Sequence, residues 1–301
     1  MTDIPLAANP VDRAAHYRLD EDWLDAAFKR PDVLVLVLQR GNPLMQDEGS
    51  LVWLGAQAAA LPNIRMRIFL GVDTTGTPIF AIDMEERFSL DASPISGLGA
   101  FEDPRGAFVR MSPLEANLAS TARSIFEWNH SHGFCANCGT ASDVTEAGWK
   151  RTCPNCGAEH FPRTDPVAIM LAVSGDKCLL GRQSNWPAGF YSCLAGFVEP
   201  GETPEQAASR ELFEEAGIRS DYTQAEYLFS QPWPFPSSLM VGVILPAENE
   251  DVTIDEKEIE DAKWFTRSEV RDIMSGQHPE YYAPPELAVA HHILKTWAER
   301  D

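Results

Sequence analysis

Three glutamates, Glu211, Glu214 and Glu215, fall within one helical turn of Arg210-Glu-Leu-Phe-Glu-Glu-Ala-Gly-Ile218. At about 100° per residue a helix would put them on one face with Ala207, with Ala208, Leu212, Phe213 and Ala216 pointing elsewhere. Like charges so placed repel by roughly several tenths of a kcal/mol per pair. A hard divalent cation reverses that cost, so the face invites Mg²⁺ or Mn²⁺. The plainer alternative is a solvated acidic helix surface. Arg210, next in sequence, suits a bidentate contact that orients a glutamate.

A second set is built for soft metal chemistry. Cys135 and Cys138 are followed, after fourteen intervening residues, by Cys153 and Cys156, and a glycine, Gly139 or Gly157, closes each pair. Two residues between thiols let both sulfurs face one ion, and the glycine permits the left-handed turn behind them. The spacing predicts a ribbon around one Zn²⁺ per chain. Such a unit either contacts nucleic acid or staples a segment too small to bury a core. The formal net charge of −21, from 24 Lys and Arg against 45 Asp and Glu, repels polyanions at long range and favours the staple. Cys178 and Cys193 lie outside the pairs and read as core residues.

Local signals fix the elements that must hold these groups. Thr203 as N-cap, Pro204 at the first helical position, Gln206 completing a capping box and Gly217 as a left-handed stop predict a helix over 204–216. Before it, 167–173 and 178–180 read as buried strands about a Ser174-Gly175-Asp176 turn. After it come a Pro-aromatic loop at 231–236, a strand at 239–245, an acidic stretch at 248–261 and a closing helix near 285–299. Upstream, residues 33 to about 110 alternate short apolar segments with Gly, Pro and Asp clusters, including a hairpin signal at Asp73-Thr-Thr-Gly76. Ser112, Pro113 and Glu115 then open a connector helix to about His130. The expected domains are a β-rich 1–130, a zinc ribbon at 131–162 and a larger α/β unit at 163–301.

With 44% hydrophobic and 23% charged residues, the chain has an ordinary globular composition. Its apolar runs, such as 33–38, are far short of the roughly 20 residues that span a bilayer. Neither the opening MTDIPLAANPVDR nor the closing Ala-Glu-Arg-Asp carries a targeting pattern, and the expected address is the cytoplasm, where thiols stay reduced.

The carboxylate helix sits in a longer pattern: Gly196, five residues, Glu202, seven residues, Arg210-Glu211, Leu212, one residue, Glu214-Glu215, one residue, Gly217, Ile218. At every fixed position this resembles the signature of the Nudix hydrolases. Downstream, Ser230-Gln-Pro-Trp-Pro-Phe-Pro-Ser-Ser238 resembles the array that marks the NADH pyrophosphatase branch. The resemblance implies a Nudix α/β/α sandwich with a mixed sheet, behind a mainly β domain and a zinc ribbon. It implies catalysis by Glu211, Glu214, Glu215 and Arg210, with divalent metal held by Glu211, Glu215, Glu258 and the backbone carbonyl of Ala195. It further implies a dinucleotide pocket lined by Gln231, Pro232, Trp233, Pro234, Phe235, Pro236, Ser237 and Ser238. Ala290, Arg105 and Phe161 would join that pocket, Phe161 standing where relatives often carry Tyr.

The physical reading of the same residues leaves alternatives. Three prolines in six residues make a stiff loop that offers Trp233 and Phe235 either to a base or to packing beneath the loop. Glu258 lies in an acidic stretch that would also suit plain solvent, and His291 and His292 read as ordinary helix residues. The expected activity is hydrolysis of the pyrophosphate of NADH or NAD⁺ by a homodimer, with Glu214 and Glu215 both able to serve as base. Removal of an NAD cap from RNA 5′ ends is the neighbouring possibility. A zinc-ribbon binding protein with a degenerate hydrolase domain is the distant one.

Overall fold

The computed structural model describes residues 4–8 and 11–300. The chain divides into two compact units, one of Leu6–Arg163 with Trp233–Ser237, the other of Met1–Pro5, Thr164–Pro232 and Ser238–Asp301.

In the first unit, helix α1 (Glu21–Phe28) is capped by Asp20, whose carboxylate accepts from the Trp23 N–H at 2.9 Å. Strands β1 (Leu34–Gln39), β2 (Asn42–Met45), β3 (Ile64–Val72), β4 (Pro78–Met84) and β5 (Ala100–Phe101) form one sheet in the order β3-β4-β1-β2-β5. Strand β1 runs parallel to β4, and the other pairs are antiparallel. An unbroken LVLVL run suits β1 because this strand is buried on both faces, where an alternating pattern would leave polar groups inside. Helices α2 (Pro104–Arg110) and α3 (Pro113–Ser131) follow, α3 opening on a complete Ser112–Glu115 capping box. The stretch read as β-rich thus also holds α2, a seven-residue helix too short to show a period. The hairpin expected at 73–76 joins β3 to β4. Strands β6 (Asp143–Thr145) and β7 (Lys150–Thr152), between the cysteine pairs, and β8 (Glu159–His160), after the second, then make a small antiparallel sheet.

The second unit is a mixed sheet between helices. It comprises β9 (Asp165–Ser174), β10 (Lys177–Arg182), β11 (Leu194–Phe197), helix α4 (Pro204–Ala216), β12 (Glu226–Trp233), β13 (Ser238–Pro246), β14 (Asp261–Thr266), α5 (Arg267–Met274) and α6 (Val289–Ala298). The sheet order is β12-β13-β9-β10-β14, with β11 also on β9 and only the β9–β13 pair parallel among these registers. The two-residue period of β9 divides the interior. Ile169 and Leu171 pack with Ile293, Leu294 and Trp297 of α6, whereas Ala168, Met170 and Ala172 pack with Ala207, Ala208 and Leu212 of α4. That is the α/β/α sandwich. Cys178 and Cys193 are buried in the α6-side core.

The structure corrects or adds to three expectations. The Pro-aromatic segment is not wholly a loop: β12 continues through Pro232 to Trp233, which an edge strand tolerates because a missing N–H there breaks no interior ladder. The acidic stretch at 248–261 gives way to strand β14 and then α5, hidden from periodicity because β14 alternates only weakly. The closing helix is shorter than expected, spanning Val289–Ala298.

Candidate active site

Helix α4 forms where its sequence signals put it. The Thr203 hydroxyl accepts from the Gln206 N–H, the Gln206 side chain accepts from the Thr203 N–H at 2.9 Å, and Gly217 stops the helix at φ 69°. The face so presented differs from the simple wheel. Glu211 and Glu215, four residues apart, bring carboxylate oxygens within 4.8 Å of each other and of Glu258. Glu214 is not in that group: its side chain is half exposed and accepts from Arg210 Nη1 at 2.9 Å. Phe213 is also exposed, while Ala208, Leu212 and Ala216 are buried.

Glu258 reaches the helix through the main chain. The last turn of α4 leaves carbonyls without intrahelical partners. Those of Ala216 and Glu215 accept from the N–H groups of Thr253 and Asp255 at 2.9 and 3.1 Å. The acidic segment is thereby laid along the helix end, and Glu258, whose N–H donates to Asp255 O at 3.0 Å, is turned toward Glu211 and Glu215.

On the opposite side the site is floored by glycine. A Cβ at Gly196 of β11 would fall 1.9 Å from the Glu211 carboxyl carbon, so only glycine lets that carboxylate lie on the strand. Ala195, the preceding residue of β11, pairs with Ile169 of β9.

Arg210 organises the rim. Its Nε and Nη2 donate to the two oxygens of Glu202 at 2.7 and 2.9 Å, its Nη1 to Glu211 at 2.8 Å and to Glu214, and its Nη2 also to Phe197 O at 2.9 Å. The bidentate partner is therefore Glu202, whose carboxyl these hydrogen bonds hold down at about 2. Glu215 is the opposite case. It is 7% exposed, its Oε2 has no hydrogen-bond partner, and burial, followed by the charges of Glu211 and Glu258, pushes its carboxyl up to about 8. Burial also raises Glu211. Three converging carboxylates, one with an orphaned buried oxygen, fit a hard cation with oxygen ligands.

The cysteine cluster is equally specific. Cys135 and Cys156 sulfurs lie 3.6 Å apart and those of Cys138 and Cys153 3.5 Å apart, with all four within 4.8 Å. These separations exclude disulfides. They approach the about 3.8 Å edge of a tetrahedron with metal–sulfur bonds near 2.3 Å. The two knuckles repeat one geometry: the Cys135 and Cys153 carbonyls accept from the Gly139 and Gly157 N–H groups at 2.9 and 3.0 Å.

The remaining sequence-derived positions fall in different settings. Gln231 is fully buried in the second unit: its Nε2 donates to Pro5 O and Leu287 O at 2.9 and 2.8 Å, and its Oε1 accepts from the Val289 N–H at 2.8 Å. It thus caps α6, whose own N-cap Ala288 has no side-chain acceptor. Ala290 is buried in the same core, and Ser238 opens β13 opposite Asp165. Pro232 is exposed. Residues Trp233, Pro234, Phe235, Pro236 and Ser237 group with the first unit, where Arg105 stands over the Phe235 ring at 4.4 Å. Phe161 is 62% exposed. His291 Nδ1 and His292 Nε2 donate to the backbone carbonyls of Pro284 and Glu286 at 2.9 and 2.8 Å, and both residues lie on α6.

Three family models match the chain in succession. Residues 162–284 match the NUDIX domain family, 130–161 the NADH pyrophosphatase zinc ribbon domain, and 33–128 the NADH pyrophosphatase-like rudimentary NUDIX domain. The NAD-capped RNA hydrolase NUDT12 of Homo sapiens is 35% identical across 95% of this chain and 71% of its own length. The chain belongs to the Nudix hydrolase family. This Nudix hydrolase is also 32% identical to the NAD-capped RNA hydrolase NudC of Mycobacterium bovis, across 99% of the chain and 96% of the relative. The mitochondrial NAD(P)H pyrophosphatase NUDT13 of Homo sapiens is 34% identical across 82% and 76%. Among the described residues of this Nudix hydrolase, no helix is long and apolar enough to cross a membrane.

Sequence reasoning missed three supporting groups. The Thr253 and Asp255 N–H groups carry no side-chain signal at all. The bidentate contact of Arg210 with a glutamate was legible, but not that its partner is Glu202. The clash at Gly196 needs the helix and strand in place together.

Proposed function

We propose that this chain hydrolyses the pyrophosphate bond of NADH or NAD⁺, releasing nicotinamide mononucleotide and AMP. The observation that carries the reading is the convergence of Glu211, Glu215 and Glu258 at the end of the Nudix helix, with Glu215 Oε2 buried and unpartnered. A pyrophosphate bridge is doubly anionic and this protein is strongly acidic, so the trio alone would repel substrate. Mg²⁺ or Mn²⁺ held by these carboxylates and the Ala195 carbonyl would supply charge neutralisation at the phosphoryl oxygens and a more acidic water.

The protein's own groups do the positioning. Arg210 binds Glu211 and Glu214 through one nitrogen, Nη1, and so neutralises charge between them, and Glu202 anchors Arg210. Of the two glutamates able to take the proton of the attacking water, Glu215 lies inside the carboxylate cluster and Glu214 at its rim. The Pro-aromatic segment selects the dinucleotide, with Phe161 and Arg105 contributing. One Zn²⁺ on Cys135, Cys138, Cys153 and Cys156 is structural. The active form is a homodimer, supported by exposed apolar side chains of the first unit such as Phe134 and Val144. Light scattering at micromolar concentration tests it, a 33.3 kDa species alone being the contrary result.

Removal of the NAD cap from RNA breaks the same bond, and the names of two relatives favour it as a second reading. Side-by-side turnover of NADH, NAD⁺, ADP-ribose and NAD-capped RNA, each with Mg²⁺ and with Mn²⁺, tests both. Absence of NADH and NAD⁺ turnover under all conditions overturns the first reading. At −21 net charge, long RNA should add little affinity, and a steep salt dependence would promote decapping to the main function.

A further inference from the structure

The segment Pro232-Trp-Pro-Phe-Pro236 cannot hold its own shape by hydrogen bonding. Its three prolines have no N–H, and the Phe235 N–H is spent locally on Trp233 O at 2.8 Å. The carbonyls of Pro234 and Pro236 must find donors elsewhere. Both are met by adjacent residues of α3. Arg123 Nε donates to Pro234 O at 2.9 Å, and Ser124 Oγ donates to Pro236 O at 3.1 Å. The other arm of Arg123, Nη1, donates to Gly41 O at 2.9 Å, in the turn between β1 and β2.

Between those two anchored carbonyls lies Phe235. Its ring is held by Arg105 at 4.4 Å and Arg123 at 5.5 Å, with Phe108 of α2 at 6.2 Å and Trp233 edge-on at 5.1 Å. Both α2 and α3 therefore grip this ring, and Phe235 works as a peg, half-buried like its neighbour Trp233. The turn at Gly41 is shaped to admit the arginine: with φ 75°, a Cβ there would fall 1.8 Å from Arg123 Nη1.

From this geometry we infer that Arg123, assisted by Ser124, is a specificity-positioning residue that fixes the Pro-aromatic segment in its substrate-selecting shape. The inference rests on the reading that this segment lines the dinucleotide pocket. It also assigns the first unit a task of its own, since both donors and the peg's socket belong to α2 and α3. A positioning role predicts an effect on KM and substrate ratio rather than on the chemical step.

The test uses the whole 301-residue chain, zinc-replete, and two readouts. Arg123→Met should raise KM for NADH about tenfold, the scale of one lost charge-assisted hydrogen bond, with kcat held within about twofold. The KM for ADP-ribose, which lacks the nicotinamide, should rise less. Hydrogen exchange of the Trp233, Phe235 and Ser237 amides should accelerate at least about tenfold while exchange in α4 stays unchanged. Arg123→Lys should recover part of each effect, since an ammonium can meet one carbonyl. Ser124→Ala, which disturbs no buried group, should show the same pattern at about two- to threefold. Unchanged exchange and unchanged KM in both Arg123→Met and Ser124→Ala would overturn the anchoring. Accelerated exchange with an unaltered NADH to ADP-ribose KM ratio would overturn the specificity role. Failure of the wild type to turn over NADH would instead strike the underlying functional reading, and the exchange arm would still decide whether Arg123 holds the segment.

Discussion

The Glu211 carboxylate rests on the bare backbone of Gly196, in the space a side chain at 196 would take. The contact joins helix α4 to strand β11 at the point where the carboxylates converge. Gly196→Ala should therefore displace Glu211 without unfolding the sandwich. Turnover is expected to fall about a hundredfold, the cost of an ångström-scale misplacement, with the melting temperature changed by only a few degrees. Steady-state kinetics beside a thermal melt decide it, and near-normal kcat would refute the arrangement.

Glu215→Gln should keep the fold and lower turnover by at least about a hundredfold, because a neutral amide is a poor ligand for a hard cation. Glu202→Gln should do less, since it loosens Arg210 rather than removing a ligand. Near-normal Glu215→Gln activity at saturating Mg²⁺ would contradict the site.

The raised carboxyl of Glu215 also sets a pH slope. In the unfolded chain this group titrates at about 4.5, and in the folded chain at about 8. Between these values the folded state keeps a proton that the unfolded state releases. The associated stability is fully present below about 4.5 and is lost as pH rises through about 8. Melts of zinc-replete protein without added Mg²⁺ or Mn²⁺, from acid to pH 9, should show this decline (about the range of these two values). Glu215→Gln should flatten it. An identical slope in the variant would show that another group is responsible.

Cys153→Ser should release the bound zinc and lower stability and solubility, because the ribbon's small sheet buries little by itself. Elemental analysis of the wild type should give one zinc per chain. A stable Cys153→Ser protein that loses only catalysis would contradict a structural role.

Trp233→Ala should raise KM for NADH more than for ADP-ribose, by roughly tenfold in the ratio if the indole stacks on a base. An equal loss on both substrates would mean that the indole only packs.

What could be read in advance was whatever is local in the chain. The α4 boundaries follow from Thr203, Gln206 and Gly217, and the knuckles from Cys-x-x-Cys with its glycine, so both were legible. The separation of Glu214 from its neighbours was harder. Three residues from Glu211 it lies about 60° to one side of the helix, whereas Glu215 lies about 40° to the other. Only the packing of α4 on β11 decides which side faces inward. The positions of Glu258, Gln231 and Arg123 depend on partners distant in sequence, and no periodicity encodes them.

The acidic segment is fastened to the end of α4 by main-chain atoms of Thr253 and Asp255, with no side-chain atom in either bond. The identity of residue 253 is thus uncoupled from the address of Glu258, whereas Asp255 also shapes the turn that carries it, its Oδ1 accepting from the Lys257 N–H at 3.0 Å. Position 253 can drift in charge and size, or be rewritten by an engineer, without moving the third carboxylate. One prohibition remains: proline at 253 or 255 would delete the donor and cast Glu258 loose.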